Sequence, residues 1–162
     1  MCDAVAPYEN PQPDHPPSIF RIIMGGPENT SQITASFDFP FNDYITQANF
    51  PLTPGEVSRV DEIAVIEPKS SFDEKEGLRL LSEAHLERPT YEHALRFAQQ
   101  HARASVSDEK CFILFLHEAW QGPGGHPRAL CFDRSVEFPA LSMAFLDVTF
   151  DDRFVLAGIR RA

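Results

Sequence analysis

The stretch Cys111-Phe-Ile-Leu-Phe-Leu-His-Glu118 decides the fold, because it contains the longest apolar run of the chain and then ends in polar residues. The run itself covers residues 112–116, and such a continuous apolar segment is typical of a strand that is buried on both faces. A loop rich in glycine and proline follows at 119–127, and a second apolar segment follows at 128–133. We therefore predict a buried hairpin over residues 111–133, at the centre of a sheet.

Apolar patterns before this hairpin predict three further strands. Residues 18–24 form the first, and residues 33–41 alternate apolar and polar side chains with the period of a half-buried strand. Pro40 lacks a backbone N–H, so this second strand is expected at a sheet edge, in a hairpin with the first strand across the turn at 25–31. Residues 60–66 are expected to form the third strand.

Two helices are predicted between the third strand and the central hairpin. Ser71 and Glu74 match a capping box, and the apolar spacing after them predicts a helix that ends near Leu86. A proline then breaks that helix, and Thr90 predicts the start of the next one. The apolar face of this second helix carries Tyr91, Ala94, Leu95, Ala98 and Ala102.

The end of the chain predicts two more strands, at 141–150 and 153–160, which are expected to pair as a hairpin. The full order is then β-β-β-α-α-β-β-β-β. Because strands cluster and helices cluster, we predict an α+β fold: a largely antiparallel sheet of about six or seven strands, with two helices packed on one face. Residues 18–162 are expected to form this single domain, after a disordered Pro-rich tail at 1–17.

The chain is acidic, with a net charge of −10, and the charge is unevenly distributed. Residues 1–76 hold 13 acidic and 4 basic groups, whereas residues 77–162 hold 11 and 10. An acidic front half repels a phosphate backbone, so the composition argues against nucleic-acid binding and favours a basic protein partner. No apolar run approaches the roughly 18 residues that a membrane helix needs, so no membrane association is expected.

The cysteines indicate a reducing compartment. There are three, at positions 2, 111 and 131, and none forms a CxxC pair. An odd number at such wide spacing argues against a disulfide framework and against a zinc ribbon. The first residues also lack the basic and apolar regions of a signal peptide. We therefore expect a cytoplasmic location.

Chemically capable side chains concentrate at the end of the predicted hairpin: His117, Glu118, Trp120, His126 and Cys131. In a regular hairpin Cys131 would face Phe115, which leaves His117 diagonal to the thiol at about 7 Å. A nucleophile and base formed by Cys131 and His117 is therefore one interpretation. The apolar neighbours favour a plain core cysteine, because such surroundings raise the pKa of a thiol.

The same residues do not predict a metal or cofactor site. Adjacent strand residues point to opposite faces, so His117 and Glu118 are not expected to share one ion. His93 and His101 lie two turns apart on the second helix, too far apart for one ion, and are expected to be solvated or half-buried. The chain also lacks a phosphate loop, a Gly-x-Ser-x-Gly elbow and an HExxH helix. The sequence therefore does not favour an enzyme.

Aromatic residues suggest a different function. A cluster in the acidic half comprises Phe37, Phe39, Phe41 and Tyr44. If their strand lies at an edge, these rings form a candidate surface for a partner, and core burial is the other interpretation. Trp120 is a further candidate, because tryptophan is enriched at binding hot spots. The sequence thus favours a non-enzymatic protein-interaction domain; the alternative is a small-ligand-binding protein or enzyme that uses the mouth of the 111–133 hairpin.

Overall fold

A computed structural model describes residues 18–102, 112–135 and 139–161 of the chain. The predicted Pro-rich tail at 1–17 and the first residue of the central run, Cys111, lie outside the described residues. The elements in the described ranges are β1 (Ser18–Gly25), α1 (Thr30–Ala35), β2 (Ser58–Ile66), α2 (Glu74–Glu83), α3 (Tyr91–His101), β3 (Phe112–Leu114), β4 (Trp120–Gln121), a 3-10 helix (Pro123–Gly125), β5 (Pro127–Asp133), β6 (Ala140–Phe145) and β7 (Phe154–Arg160).

The strands form one mostly antiparallel sheet, which confirms the predicted α+β fold class. The order across the sheet begins β1-β2-β7-β3-β5. Strand β4 pairs with β5 on the same side as β3, and β6 pairs with the other side of β5. Strands β3 and β7 run parallel to each other. Strands β1 and β6 are therefore the two edges of the sheet.

Both faces of the sheet are buried near its centre. Ile113 and Phe115 belong to a cluster that includes residues of α1 and α3, and we call this side face A. Leu114 and Leu116 belong to a second cluster that includes α2, and we call this side face B. The central apolar run therefore packs on both faces, as its sequence predicts, and each such buried side chain contributes roughly 1.5–3 kcal/mol.

The two predicted helices lie on opposite faces of the sheet, not on one. Helix α3 packs on face A through residues such as Leu95, whereas α2 packs Leu81 on face B. The chain changes face between them, after a residue in the left-handed region, His85, with a φ of 61°. Glu87 then joins the sheet plane, because it exchanges two backbone hydrogen bonds with Ile159, at 2.8 and 2.9 Å.

The capping residues were predicted correctly for one of these helices. Thr90 is the N-cap of α3, and its backbone N–H donates to Nδ1 of His93 at 3.0 Å. The N-cap of α2 is not Ser71 but Asp73, whose carboxylate accepts from the Glu76 N–H at 2.9 Å. A carboxylate at a helix N-terminus also interacts favourably with the helix dipole, which gives Asp73 an advantage over a hydroxyl.

The strand predicted at 33–41 is wrong. The chain forms helix α1 there instead, because Asn29 and Gln32 make a reciprocal cap. The Asn29 side chain accepts from the Gln32 N–H, and the Gln32 side chain accepts from the Asn29 N–H, both at 2.9 Å. After α1 the chain is irregular, and Phe41 makes an isolated parallel bridge to Leu141 of β6. The alternating phenylalanines therefore reflect packing over the sheet and not a strand.

Two predicted hairpins are replaced by non-local pairings. Strand β1 pairs with β2 and not with residues 33–41. The predicted hairpin of 141–150 with 153–160 is also wrong, because β6 pairs with β5 and β7 inserts between β2 and β3. Strand β7 is buried continuously from Val155 to Ile159, which suits a central strand.

The outer edge of β1 is closed by side chains of α3. The Gln100 amide accepts from the Ile23 N–H at 2.9 Å and donates to the Ile23 carbonyl at 2.8 Å. At the end of the strand, Glu92 accepts from the Gly25 N–H at 2.9 Å and Arg96 donates to the Gly25 carbonyl at 2.6 Å. These side chains take the place of a neighbouring strand and protect the edge from other chains.

Gly158 allows α2 to approach β7 closely. A Cβ at this position would lie 2.7 Å from Cβ of Leu86 and 2.9 Å from Cδ2 of Leu81. Gly158→Ala is therefore expected to lower the free energy of unfolding by roughly 1–3 kcal/mol in urea titrations. Gly55→Ala is the matched control, because a Cβ at Gly55 would meet no atom within 4 Å. Equal unfolding midpoints for the two variants would contradict this account of the α2–β7 contact.

Candidate interaction surface

The central hairpin contains a bulge in its first strand. Leu114 lies opposite Cys131, and Trp120 lies opposite Arg128. Residues 115–119 of the first strand therefore face only residues 129–130 of the second. Bulges of this kind redirect side chains and interrupt strand pairing.

His117 fills this bulge and is only 1% exposed. Its Nε2 accepts from the Leu130 N–H at 2.9 Å, and its Nδ1 donates to the Glu118 carbonyl at 2.7 Å. These partners assign the neutral tautomer with the proton on Nδ1. Burial lowers the pKa of His117 to about 4, although the Glu118 carbonyl favours the protonated form. His117 thus replaces a backbone group of the ladder, and neither ring nitrogen is available for chemistry.

The surroundings of His117 hold the bulge in place. Arg88 donates from Nε to the Leu116 carbonyl at 2.7 Å and from Nη2 to the His117 carbonyl at 3.1 Å. The rings of Phe50 and Tyr91 pack edge-on against the imidazole, with centroids 6.2 and 6.0 Å away. His117 is therefore part of the structural core on face A.

The structure does not bring Cys131 and His117 together. Cys131 lies opposite Leu114 and not opposite Phe115, which is one residue away from the predicted register. A shift of one residue turns every side chain to the other face, so Cys131 lies on face B while His117 lies on face A. Burial raises the pKa of the Cys131 thiol, which is typical of a core cysteine.

The other predicted residues of the hairpin also lie apart. Glu118 is exposed, and His126 is exposed with Nδ1 3.0 Å from Oδ2 of Asp147. Of two cavities in the described part of the chain, one of about 290 Å³ is lined partly by Cys131. The other, of about 400 Å³, is lined by none of the five predicted residues.

Trp120 belongs to a surface that the sequence identified only in part. The Arg128 guanidinium lies among three aromatic rings, with Cζ 4.8 Å from the ring centroid of Phe145, 5.6 Å from that of Tyr44 and 5.8 Å from that of Trp120. Tyr44 is 42% exposed and Phe145 is 46% exposed, so the group faces solvent. We call these four residues the Arg128 surface.

Strand pairing assembles the Arg128 surface. Trp120 and Phe145 both lie directly opposite Arg128, on the two strands that flank it. Residues opposed in this way share one face of the sheet, which brings their side chains into contact. Gly122 completes the arrangement, because a Cβ there would lie only 2.8 Å from Nε of Arg128. Tyr44 reaches the surface from the irregular segment after α1, with its ring centroid 5.7 Å from that of Trp120.

Arg128 has no carboxylate partner among the described residues, although acidic groups outnumber basic groups by 24 to 14 in the chain. Its Nη2 donates to the Pro123 carbonyl at 3.3 Å, and no acceptor for its buried Nε lies in ranges 18–102, 112–135 and 139–161. Arg79 and Arg96, in contrast, pair with carboxylates at 2.6 and 2.9 Å. Contacts with aromatic rings stabilise the Arg128 cation but leave its charge uncompensated. The surface is therefore suited to a carboxylate from another molecule.

The remaining aromatic candidates cover face A. Phe37 and Phe39 stack with centroids 4.6 Å apart, and Phe39 packs edge-on against Phe132 at 5.8 Å. Phe41 packs against Phe37 at 5.6 Å. All three phenylalanines of this segment are partly buried against the core. Of the predicted partner surface, Tyr44 is the residue that joins the Arg128 surface.

The outer edge of β6, next to the Arg128 surface, is covered by the described residues only at Leu141. Leu141 points away from β5, because its N–H donates to the Pro40 carbonyl at 3.2 Å and its carbonyl accepts from the Asn42 N–H at 2.9 Å. Backbone direction alternates along a strand, so Met143 and Phe145 point outward as Leu141 does. Within the described ranges, the backbone N–H and carbonyl groups of Met143 and Phe145 make no hydrogen bond.

A charge cluster centred on the buried Asp61 lies between β2 and α3, and it was not predicted from the sequence. Nε2 of His93 lies 2.8 Å from Oδ2 of Asp61, and Arg59 and Arg161 also bond to Asp61, each at 3.3 Å. Burial by itself raises the pKa of Asp61, but hydrogen bonds from His93 and Arg59 outweigh it and hold that pKa below its usual value. Burial lowers the pKa of His93 despite its contact with Asp61. The pair is therefore a neutral imidazole that donates to a carboxylate.

This cluster is structural and not a catalytic dyad. The other nitrogen of His93 accepts from the Thr90 N–H, so it has no lone pair left to take a proton from a substrate. One signal could have revealed the cluster from the sequence. Asp61 has the same parity in β2 as the buried residues Ile63 and Val65, so its carboxylate must lie on the apolar face, where it needs partners.

In ranges 18–102, 112–135 and 139–161, no three His, Cys, Asp or Glu side chains lie close enough together to hold a metal ion. No helix in these ranges is long and apolar enough to cross a membrane. Comparisons with protein-family models, with curated proteins and with solved structures find no match for the chain. The chemistry of the Arg128 surface is thus the strongest indication of function.

Proposed function

We propose that this protein is a non-catalytic protein-interaction domain that binds its partner through the Arg128 surface. The observation that carries the proposal is a guanidinium that lies among three aromatic rings and has no carboxylate partner in the part of the chain that the structure describes. Tryptophan, tyrosine and arginine are the residues most enriched at binding hot spots, and all three meet here. A partner carboxylate would form a charge-assisted hydrogen bond with Arg128 in a site partly shielded from water.

Charge around this surface supports a partner that is basic overall. The net charge of −10 attracts a basic protein over long range and speeds its encounter. Asp43 directly precedes Tyr44, Glu118 lies two residues before Trp120, and both exposed carboxylates add negative charge near these rings. Arg128 then selects one carboxylate at the centre of the contact. An aromatic centre with a charged rim is typical of a protein interface.

A cytoplasmic location is part of the same proposal. Cys131 is a buried free thiol, and the three cysteines of the chain are widely spaced. Both observations are consistent with a reducing compartment. The alternative function, a ligand site or enzyme at the mouth of the hairpin, has less support, because both nitrogens of His117 are bonded and His126 pairs with Asp147.

The proposal is tested with a phage-displayed library of random peptides selected on the wild-type protein. Selected peptides are expected to share an acidic residue and to bind Arg128→Gln at least tenfold more weakly, because a hydrogen bond between charged groups contributes about 1.5–3 kcal/mol. Arg79→Gln is the matched control, since Arg79 is exposed on α2, the helix that packs on face B. The proposal fails if no peptide is enriched, or if the selected peptides bind Arg128→Gln as tightly as the wild type.

A further inference from the structure

The geometry points to a specific mode of binding: we infer that the partner adds an extended strand to the outer edge of β6, with an acidic side chain opposite Phe145. This inference rests on the proposed function and names the segment of the partner that reaches Arg128.

The two edge strands, β1 and β6, differ in how far their outward backbone groups are hydrogen-bonded. Side chains of α3 occupy the outer edge of β1, as described above. On β6, the described residues of the chain cover only Leu141, where residues 40–42 lie against it. Met143 and Phe145 then present two N–H and two carbonyl groups outward. Such groups are a template for another extended chain.

Strand geometry connects this edge to the guanidinium. An added strand would lie about 4.8 Å from β6 and roughly 10 Å from β5. Its residue opposite Phe145 would point to face A, the side on which Phe145 and Arg128 already lie opposite each other. Cζ of Arg128 lies 4.8 Å from the centroid of the Phe145 ring, and the guanidinium also bonds to the Pro123 carbonyl on the β4 side. A long acidic side chain on the added strand, such as glutamate, meets the guanidinium by passing over the Phe145 ring.

The neighbouring residues of the added strand would point to face B. There Ser142, Ala144 and Val148 line the cavity of about 290 Å³. Its lining also includes Phe150 and Phe154, so it is suited to apolar side chains. Strand addition typically derives affinity from backbone bonds and specificity from alternate side chains. The inferred segment thus carries an acidic residue flanked by apolar ones.

A second copy of this chain, paired in the register centred on β6, does not meet these requirements. If two β6 strands paired antiparallel about Ala144, Phe145 of each copy would lie opposite Met143 of the other. Methionine carries no charge, so Arg128 would remain without a carboxylate. Each copy also carries a net charge of −10, which disfavours self-association. An extended segment of a basic partner, with one acidic residue flanked by apolar ones, is therefore the occupant that fits the edge.

A comparison of the variants Met143→Pro and Met143→Ala distinguishes strand addition from other modes of binding. Met143→Pro removes the outward N–H and leaves the bonds of Ser142 and Ala144 to β5 in place, because proline is tolerated where the N–H of an edge strand faces solvent. Met143→Ala loses the same side chain but keeps the N–H, so it is the matched control. Circular dichroism and amide exchange at Ser142 and Ala144 verify that both variants retain the β5–β6 pairing.

The probes are the peptides that the library selection enriches, labelled with fluorescein and followed by anisotropy. Met143→Pro is expected to bind them at least tenfold more weakly than Met143→Ala does. Replacing the shared acidic residue of the peptide by its amide is expected to weaken binding to the wild type about tenfold and to leave binding to Arg128→Gln unchanged. Amide protons of Met143 and Phe145 are expected to become protected from exchange when the peptide binds.

Each other outcome overturns the inference in a distinguishable way. If Met143→Pro and Met143→Ala bind equally while Arg128→Gln binds poorly, the partner contacts the Arg128 surface without forming a strand, and the proposed function stands. If Arg128→Gln also binds normally, both the inference and the proposed function fail. If analytical ultracentrifugation shows a wild-type dimer that Met143→Pro abolishes, the edge belongs to a second copy.

Discussion

His117→Ala is expected to lower the free energy of unfolding by roughly 4 kcal/mol, the largest effect that we expect from a single substitution in this protein. The imidazole is the acceptor for the Leu130 N–H, which lies in the fully buried part of β5. An unsatisfied buried N–H costs about 1–3 kcal/mol, and the empty space beside Phe50 and Tyr91 adds the cost of a cavity.

The measurement is urea unfolding followed by the fluorescence of the single tryptophan, Trp120, which packs against Tyr44 and Phe50. His126→Ala is the matched control; because His126 is exposed, its loss is expected to change stability by less than about 0.5 kcal/mol. His117→Gln is expected to recover part of the loss, since an amide offers both a donor and an acceptor. Equal effects at positions 117 and 126 would contradict the structural role of His117.

Acid is expected to destabilise the protein by roughly 3 kcal/mol between pH 7 and pH 4 through His117 alone. Burial lowers the pKa of His117 from its ordinary value of 6.5 to about 4 in the folded protein. Between these values the unfolded chain binds a proton that the folded protein does not bind, so stability falls as the pH falls. The lowered pKa of His93 acts in the same direction. The lowered pKa of Asp61 contributes only below its ordinary value of 3.8.

Urea midpoints measured at intervals from pH 7 to pH 4 test this expectation. The wild type is expected to lose more stability over this range than His117→Gln, by roughly 3 kcal/mol, because glutamine does not titrate. The curves of the two proteins should therefore converge toward pH 4. Parallel curves would show that His117 is not held neutral by burial, and a histidine NMR titration would then place its midpoint near 6.5.

Local signals in the sequence predicted the elements that depend on neighbouring residues. Thr90 and the apolar spacing after it predicted α3, which Thr90 caps through His93. The apolar run at 112–116 predicted a strand buried on both faces. Capping and side-chain periodicity are set within a few residues of sequence, which is why they can be read from a single chain.

The pairings that failed depend on distant residues. Residues 153–160 contain a strand, but the sequence does not show that β7 inserts between β2 and β3 instead of folding back on its neighbour. The period of two at 33–41 is also ambiguous, because aromatic residues that pack a loop over a sheet alternate as strand residues do. The sequence does contain a signal for α1, because Asn29 and Gln32 have the spacing of a helix-capping box.

The sequence alone could identify only those members of the candidate site whose residue type is frequent at interfaces. Tyr44 and Trp120 could be selected because exposed aromatic residues are frequent at interfaces. Arg128 and Phe145 could not, because their contact depends on the pairing of β5 with β6. The position of Cys131 was not predictable for the same reason. The actual strand register differs from the predicted one by a single residue, and this difference places Cys131 on the opposite face of the sheet from His117.

The closed edge of β1 has a consequence for aggregation. A fibre of sheets joined edge to edge requires each molecule to offer two free edges, one at either end. Here Gln100, Arg96 and Glu92 block one end, so two molecules that met through β6 would expose only blocked ends to solution. Growth by this route stops at a pair, and the fold therefore carries its own protection against filament formation.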